Sequence, residues 1–285
     1  MGFAIVVDST CDLRPDEYRD LDVTMVPLTI LVDGGEFKDQ TEISSEEFYR
    51  RMAVSKELPK TAAPSPYDFV KVYEDLAKKG YEHIVSLHLA GVLSGTVESA
   101  RIAASQVDVD VRVIDTLTAT AGMALLAQDV VKLRDAGATV DEAEAAVRAF
   151  DGKNRFLVTP ETLENLLKGG RLSADQVKTA SMLNVKPIFM FTETGSIAAF
   201  GKAKGMHGVV KAYVEEVKRL ADEYGTQRVR FGHVENAELI DDLKRALDES
   251  GVSYLDAGTA PCGATVAAHF GSGSISMGCE PATVA

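Results

Sequence analysis

HIVSLHLAGVLSGTVESA, residues 83–100, holds the unit from which the fold can be read. Its opening HIVSLHL is an apolar, β-branched run of strand length, AG and SG interrupt it, and TVESA opens a helical pattern. A strand that turns straight into a helix is the first part of a β-α unit, and successive units of that kind build parallel sheets. The turn also raises a chemical question. A helix start leaves N–H groups unpaired and carries partial positive charge, so Ser94, Gly95 and Thr96 can either cap the helix or help to hold an anion. These residues alone leave both roles open.

Working outward, FAIVV (3–7), VTMVPLTILV (23–32) and VRVID (111–115) are further β-rich runs separated by amphipathic stretches. ISSEEFYRRM (43–52) reads as a helix start, with Ser44 or Ser45 as cap and Glu46 and Glu47 in the first turn. Residues 118–134 carry no charge before Asp129, which predicts a helix buried on most of its surface. In DAGATVDEAEAAVRAF (135–150) one helix stops at Gly137 and the next is capped near Thr139 or Asp141.

The texture changes after Asn154. RFLV (155–158) predicts a strand, PETLENLLK (160–168) a helix, and a glycine pair then precedes another helix. VKPIFMF (185–191) and SIAAF (196–200), joined by TETG, read as a hairpin. The helix at 208–225 follows, with Val210, Tyr213, Val214, Val217 and Leu220 on one face, and then the strands VRFGHV, VSYLDAG and SGSISMG around a helix at 236–249. The expected architecture is α/β in two domains. Residues 1–152 would form a mainly parallel sheet with flanking helices and residues 153–285 a mixed or antiparallel sheet with helices, the break falling at DGKN (151–154).

Composition narrows the function classes. Lys and Arg total 30 against 43 Asp and Glu, a formal charge of −13, which argues against an extended nucleic-acid or anionic-membrane footprint. No apolar run is long enough to span a bilayer and the first residues lack a signal-peptide core, so a cytoplasmic protein with no integral membrane segment is expected. Three cysteines, Cys11, Cys262 and Cys279, form no CxxC pair and are expected to be reduced. The five histidines show no metal-ligand spacing, so neither a metal nor a cofactor is expected, and His83 and His233, beside apolar strands, read as structural.

Familiar catalytic motifs fail on spacing. GSIAAFGKA (195–203) has five residues between its glycines and lacks the Ser or Thr of a phosphate loop. GVLSG (91–95) is not GxSxG. A Ser94–His269–Asp8 triad can be drawn, but nothing in the sequence brings the three together. Cys11 follows a strand end, but its acidic neighbours Asp8 and Asp12 should raise the thiol pKa.

Other segments converge. KTAAPSP (60–66) presents Thr61 and Ser65, LSGT (93–96) presents hydroxyls at a helix start, LLKGGRLS (166–173) projects Arg171 from a glycine turn, and AAHFGSGS (267–274) places His269 beside glycines. With DSTCDL (8–13), ISSEEFY (43–49), VIDTLTATAGMALL (113–126) and VKPIF (185–189), this ordered set resembles, nearly end to end, the DegV family of bacterial fatty-acid-binding proteins, which includes the FakB subunits of fatty acid kinase.

That resemblance implies a non-catalytic protein that buries one long-chain fatty acid in an apolar tunnel between its domains. A partner kinase would phosphorylate the carboxylate at the tunnel mouth to an acyl phosphate. It implies that Thr61 and Ser94 bind the carboxylate, that Arg171 and His269 stand at the mouth and support binding or phosphoryl transfer, and that Lys204 is a partner contact. The chemistry is compatible: about sixteen buried carbons at roughly 0.8 kcal/mol each offer on the order of 10 kcal/mol before entropy and desolvation costs, so retention needs no covalent bond.

The chain departs from the family pattern at Ala62-Ala63, at Ala90-Gly91, where serines are often found, at Lys204 in place of an arginine, and at Gly271-Ser272-Gly273. Lysine keeps the charge but lacks the bidentate fork. Two other classes remain open at this point: a lipid hydrolase or acyltransferase using Ser94 and His269, and an apolar-ligand sensor without a kinase.

Overall fold

A computed structural model describes residues 2–149, 153–172 and 185–282. Its first part is a four-stranded parallel sheet in the order β2-β1-β6-β7, formed by β1 (Ala4–Asp8), β2 (Val23–Val26), β6 (His83–His88) and β7 (Asp110–Asp115). Beside it a small antiparallel sheet in the order β4-β3-β5 comprises β3 (Thr29–Val32), β4 (Gly35–Lys38) and β5 (Lys60–Ala62). The connecting helices are α1 (Pro15–Asp20), α2 (Ser45–Val54), α3 (Pro66–Lys78), α4 (Thr96–Ala104), α5 (Thr120–Asp135) and α6 (Val140–Ala149).

The apolar run at 23–32 is two strands in two sheets rather than one. Pro27 has no N–H to donate to a ladder, and the Leu28 N–H is taken by the Ser9 hydroxyl at 3.1 Å, which pins the chain where it leaves the parallel sheet. The caps at Ser44 and Thr139 form as the sequence predicts, each hydroxyl accepting an N–H three residues on.

The second part is a six-stranded mixed sheet in the order β10-β9-β8-β13-β11-β12. Its strands are β8 (Arg155–Thr159), β9 (Val185–Phe191), β10 (Ile197–Lys204), β11 (Gln227–His233), β12 (Tyr254–Pro261) and β13 (Ile275–Pro281), all neighbours antiparallel except β11 with β12. The helices are α7 (Glu164–Lys168), α8 (Gly205–Tyr224), α9 (Ala237–Ser250) and α10 (Ala264–Phe270). The α/β class, with a parallel sheet first and a mixed sheet second, is as expected. The helix expected over 160–168 begins only at Glu164, because the Glu161 carbonyl and carboxylate both take the Lys186 ammonium of β9. The helix expected after the glycine pair lies outside the described residues, as do residues 150–152 at the expected boundary.

α5 explains why the two parts pack closely. It lies between the parallel sheet and β13, with Met123, Ala124, Ala127 and Val130 fully buried. Gly278 lets the backbones meet: a Cβ there would stand 2.8 Å from the Ala121 carbonyl oxygen. One apolar cluster consequently takes Val7 and Leu87 from the parallel sheet and Phe156 and Phe189 from the mixed sheet. Two ion pairs cross the same contact. Buried Arg230 of β11 forms a bidentate pair with Glu17 of α1 at 2.8 and 2.7 Å, and Arg228 bridges Asp129 of α5 and Glu280 of β13. Among the described residues no helix is long and apolar enough to cross a membrane.

Candidate functional site

The strand ends of the parallel sheet fix the site. Asp8, at the end of β1, is fully buried and accepts the Leu89 N–H at 3.0 Å, so it holds the start of the loop that leads to Leu93 and Ser94. Its other oxygen takes the Thr10 hydroxyl at 2.5 Å and the Thr10 N–H at 3.0 Å. Behind it runs a buried chain: His88 Nδ1 is 3.1 Å from Asp8, His88 Nε2 is 2.8 Å from the Ser86 hydroxyl, and that hydroxyl is 2.8 Å from the Tyr73 phenol. Each member has a partner on both sides where it needs one, which lets so polar a column sit in the core.

Ser94 is not a helix cap. Gly95 occupies the N-cap position of α4 with no side-chain capping bond, and the Ser94 hydroxyl lies 2.9 Å from the Thr96 hydroxyl. Ser65, by contrast, is a cap, exchanging hydrogen bonds with Asp68 at the start of α3. Of the two hydroxyls in the proline-held loop, only Thr61 on β5 turns toward the site.

Thr61, Ser94, Arg171 and His269 line one cavity of about 50 Å³. Leu28, Leu89, Leu93, Phe191, Ile197 and Phe270 supply most of its apolar wall. The four polar groups come from β5, the loop before α4, the turn after α7 and the last turn of α10, so the fold collects at one place what the sequence distributes over most of its length. Thr61 Oγ1 lies 2.9 Å from His269 Nε2. Arg171 is anchored by its own turn, donating to the Gly169 carbonyl at 2.5 Å, and reaches across to the Leu93 carbonyl at 3.1 Å. Burial lowers its pKa, in the direction that favours gaining an anionic partner.

His269 is neutral near neutral pH. Burial, with the Arg171 cation adding to it, pushes its pKa down to about 4. Its Nδ1 is buried with no hydrogen-bond partner among the described residues. Gly169 makes room for the ring, since a Cβ there would stand 2.7 Å from His269 Nδ1. The glycine pair therefore does more than project Arg171.

The N-terminus of α10 is held by carboxylates of the other part of the molecule. Asp12 accepts the Gly263 N–H at 2.7 Å, and Asp39 accepts the Ala264 and Thr265 N–H groups at 2.8 and 3.1 Å. The Tyr49 phenol donates to the Cys262 carbonyl at 2.5 Å. Burial raises both acids, Asp12 to about 8. This cluster sets the position of the helix that carries His269.

Ser94, His269 and Asp8 do not form a triad. The Ser94 hydroxyl partners Thr96, His269 Nε2 partners Thr61, and Asp8 is committed to His88, Leu89 and Thr10. Cys11, Cys262 and Cys279 are buried free thiols, all raised in pKa; burial is the main cause for Cys11, with Asp8 and Asp12 adding to it. Lys204 stands apart from the cavity. β10 leads from Ile197 in the cavity wall to exposed Lys204 just before α8, roughly 20 Å away at strand rise.

The departures at 90–91 have local reasons. Ala90 abuts Gly195 at the hairpin tip, where a Cβ on residue 195 would lie 2.8 Å from that of Ala90. Gly91 donates to Asp115, and a Cβ there would stand 2.7 Å from the same carboxylate. Sequence reading assigned no role to Thr10, Phe191 or Ile197, all in the cavity wall. Thr10 lies inside the DSTCDL motif, which was the available signal.

Residues 2–282 match the model of a family described as "Uncharacterised protein, DegV family". A DegV domain-containing protein of Deinococcus radiodurans is 32% identical over 281 residues, 99% of each chain. Among solved structures, a DegV family protein from Thermus thermophilus described as fatty acid binding superposes with a TM-score of 0.91 at 29% identity, over 99% of this chain and 100% of that one. The Streptococcus pneumoniae fatty acid kinase B3 protein loaded with linoleic acid superposes with a TM-score of 0.83 at 26% identity, over 98% and 99%.

Proposed function

The chain belongs to the DegV family, and from that premise we propose that it is a cytoplasmic carrier that holds a long-chain fatty acid and presents its carboxylate to a partner kinase. In this reading Thr61 and Ser94 bind the carboxylate, Arg171 and His269 support it at the mouth, and the acyl chain runs between the domains formed by residues 1–152 and 153–285. Lys204, exposed and distant from the cavity, is the partner contact.

The observation that carries the reading is the convergence of Thr61, Ser94, Arg171 and His269 on one otherwise mainly apolar cavity. A carboxylate there gains a cation and two hydroxyls, while an alkyl chain gains leucine and phenylalanine surface. A hydrolytic role for Ser94 and His269 is disfavoured by the partners those side chains already have and by the lack, among the described residues, of a carboxylate on His269 Nδ1.

Native mass spectrometry of the purified chain, before and after addition of stearate, tests the carrier reading. One non-covalently held fatty acid per chain is expected; a protein that neither retains nor takes up one overturns it. Kinase coupling is tested separately, by adding a fatty acid kinase and ATP to the loaded protein and trapping acyl phosphate with hydroxylamine. Binding without acyl phosphate would leave a carrier or sensor uncoupled from that kinase.

A further inference from the structure

A second cavity, of about 210 Å³, lies beside the first and shares one wall residue with it, Phe191. Phe191 is the last residue of β9, pairs with Ile197 across the hairpin, and is only 8% exposed. Its ring meets Phe156 edge to face, with centroids 4.7 Å apart. On the head-group side Phe191 faces the cavity with Ala119; on the far side Leu117, Leu125, Phe156 and Met190 line the second cavity together with polar groups, among them Arg155 and Glu280, already ion-paired with Glu216 and Arg228 respectively. Gly122 keeps that space open beside the rings, since a Cβ there would lie 3.2 Å from Phe156.

At about 50 Å³ the inner cavity alone falls well short of the roughly 300–1,000 Å³ of ligand pockets, so an alkyl chain must displace side chains to enter. We propose that Phe191, backed by Phe156, is the partition between the two chambers and the residue that sets how long an acyl chain this protein accepts. The inference rests on the carrier reading. A tail that stops at the ring buries its methylenes against leucine and phenylalanine; a longer one must swing the ring off Phe156 or fold back. Once the ring is removed, the tail passes along Leu117, Leu125 and Met190, and the methylenes that reach that apolar side of the second cavity are rewarded by burial.

The test is displacement of a fluorescent fatty acid from the delipidated full-length protein by stearate and by behenate, four methylenes longer, in the wild type, Phe191→Ala and Phe191→Met, with thermal denaturation to establish folding. Phe191→Met keeps the volume while making the wall flexible, and decides the matter if the alanine variant does not fold. The wild type should favour stearate, and the variants should shift the affinity ratio toward behenate by roughly tenfold or more, less than four fully buried methylenes could supply. Wild-type protein binding behenate as tightly as stearate overturns the inference, as does an unchanged ratio in a folded variant that still binds stearate. Wild-type protein binding neither acid overturns the carrier reading itself.

Discussion

Thr61 Oγ1 and His269 Nε2 lie 2.9 Å apart across 208 residues of chain. The bond joins an edge strand of the small antiparallel sheet to the last turn of α10, and it is made at the wall of the cavity rather than in the core. With His269 neutral, the pair offers a ligand one hydroxyl and one imidazole whose hydrogen-bond roles can exchange, and neither adds a buried charge.

If Thr61 binds the carboxylate as proposed, replacing it by Ala removes one donor to that group, and it also takes away the partner of His269 Nε2. We expect stearate affinity to fall about fivefold, near 1 kcal/mol, and the Thr61→Ala/Ser94→Ala double variant to lose more, with little change in melting temperature because both side chains sit at the cavity surface. Titration calorimetry reads the affinities. Unchanged binding in the double variant removes both residues from head-group recognition.

A bound carboxylate should raise the pKa of His269. In the free protein burial and the Arg171 cation hold it down to about 4. An anion between the two opposes the arginine and stabilises the imidazolium, so the shift must be upward, toward or beyond the ordinary value of 6.5. NMR titration of the His269 ring, with and without stearate, measures it directly. A ring pKa that stays put on saturation places the carboxylate elsewhere.

Much of this site was legible in the sequence because its polar members sit in short motifs whose turn chemistry is local: glycines beside Arg171, a hydroxyl pair at the start of α4, Thr61 ahead of a proline turn. What those motifs could not show was partnership. Asp8 belongs to His88 and Leu89, not to His269, because β1 and β6 are neighbours in the sheet, and strand order is not written in either strand. Ser94 read equally well as a cap, and only the backbone, with Gly95 at the N-cap, separates the two roles. The β-rich run at 23–32 is continuous in hydrophobicity, and its break into two strands depends on Pro27 and on Ser9 from another segment. Phe191 carried no signal, since an apolar residue ending an apolar strand looks like core until two cavities are seen on it.

Gly169→Ala should damage the site through sterics alone. The backbone at residue 169 is right-handed helical, with φ −73°, so alanine has no conformational objection. Its Cβ would lie 2.7 Å from both His269 Nδ1 and the Asn165 carbonyl, and the ring must move off Thr61. Overpacking of this kind costs about 1–3 kcal/mol. A lower denaturation midpoint together with weakened stearate binding is the expected pair of results, and partial recovery of stability in Gly169→Ala/His269→Ala would trace it to the ring. A variant as stable as the wild type would show that the ring has room the geometry denies it.

Asp12 makes stability depend on pH in a direction opposite to that of a salt-bridged acid. Its folded-state pKa, about 8, stands above its ordinary 3.8 because burial penalises the carboxylate. Between those values the folded state holds a proton that the unfolded state has lost, so this residue's contribution is full below about pH 4 and is lost as pH rises through about 8. Asn in its place still accepts the Gly263 N–H through Oδ1, tolerates the left-handed backbone at φ 51°, and cannot ionise. Asp12→Asn should therefore lose less stability than the wild type between about pH 5 and pH 8, with a slope remaining from Asp39, which burial also raises. Urea midpoints at the two pH values measure this, and equal losses in both proteins would mean that Asp12 is ionised in the folded state throughout the range.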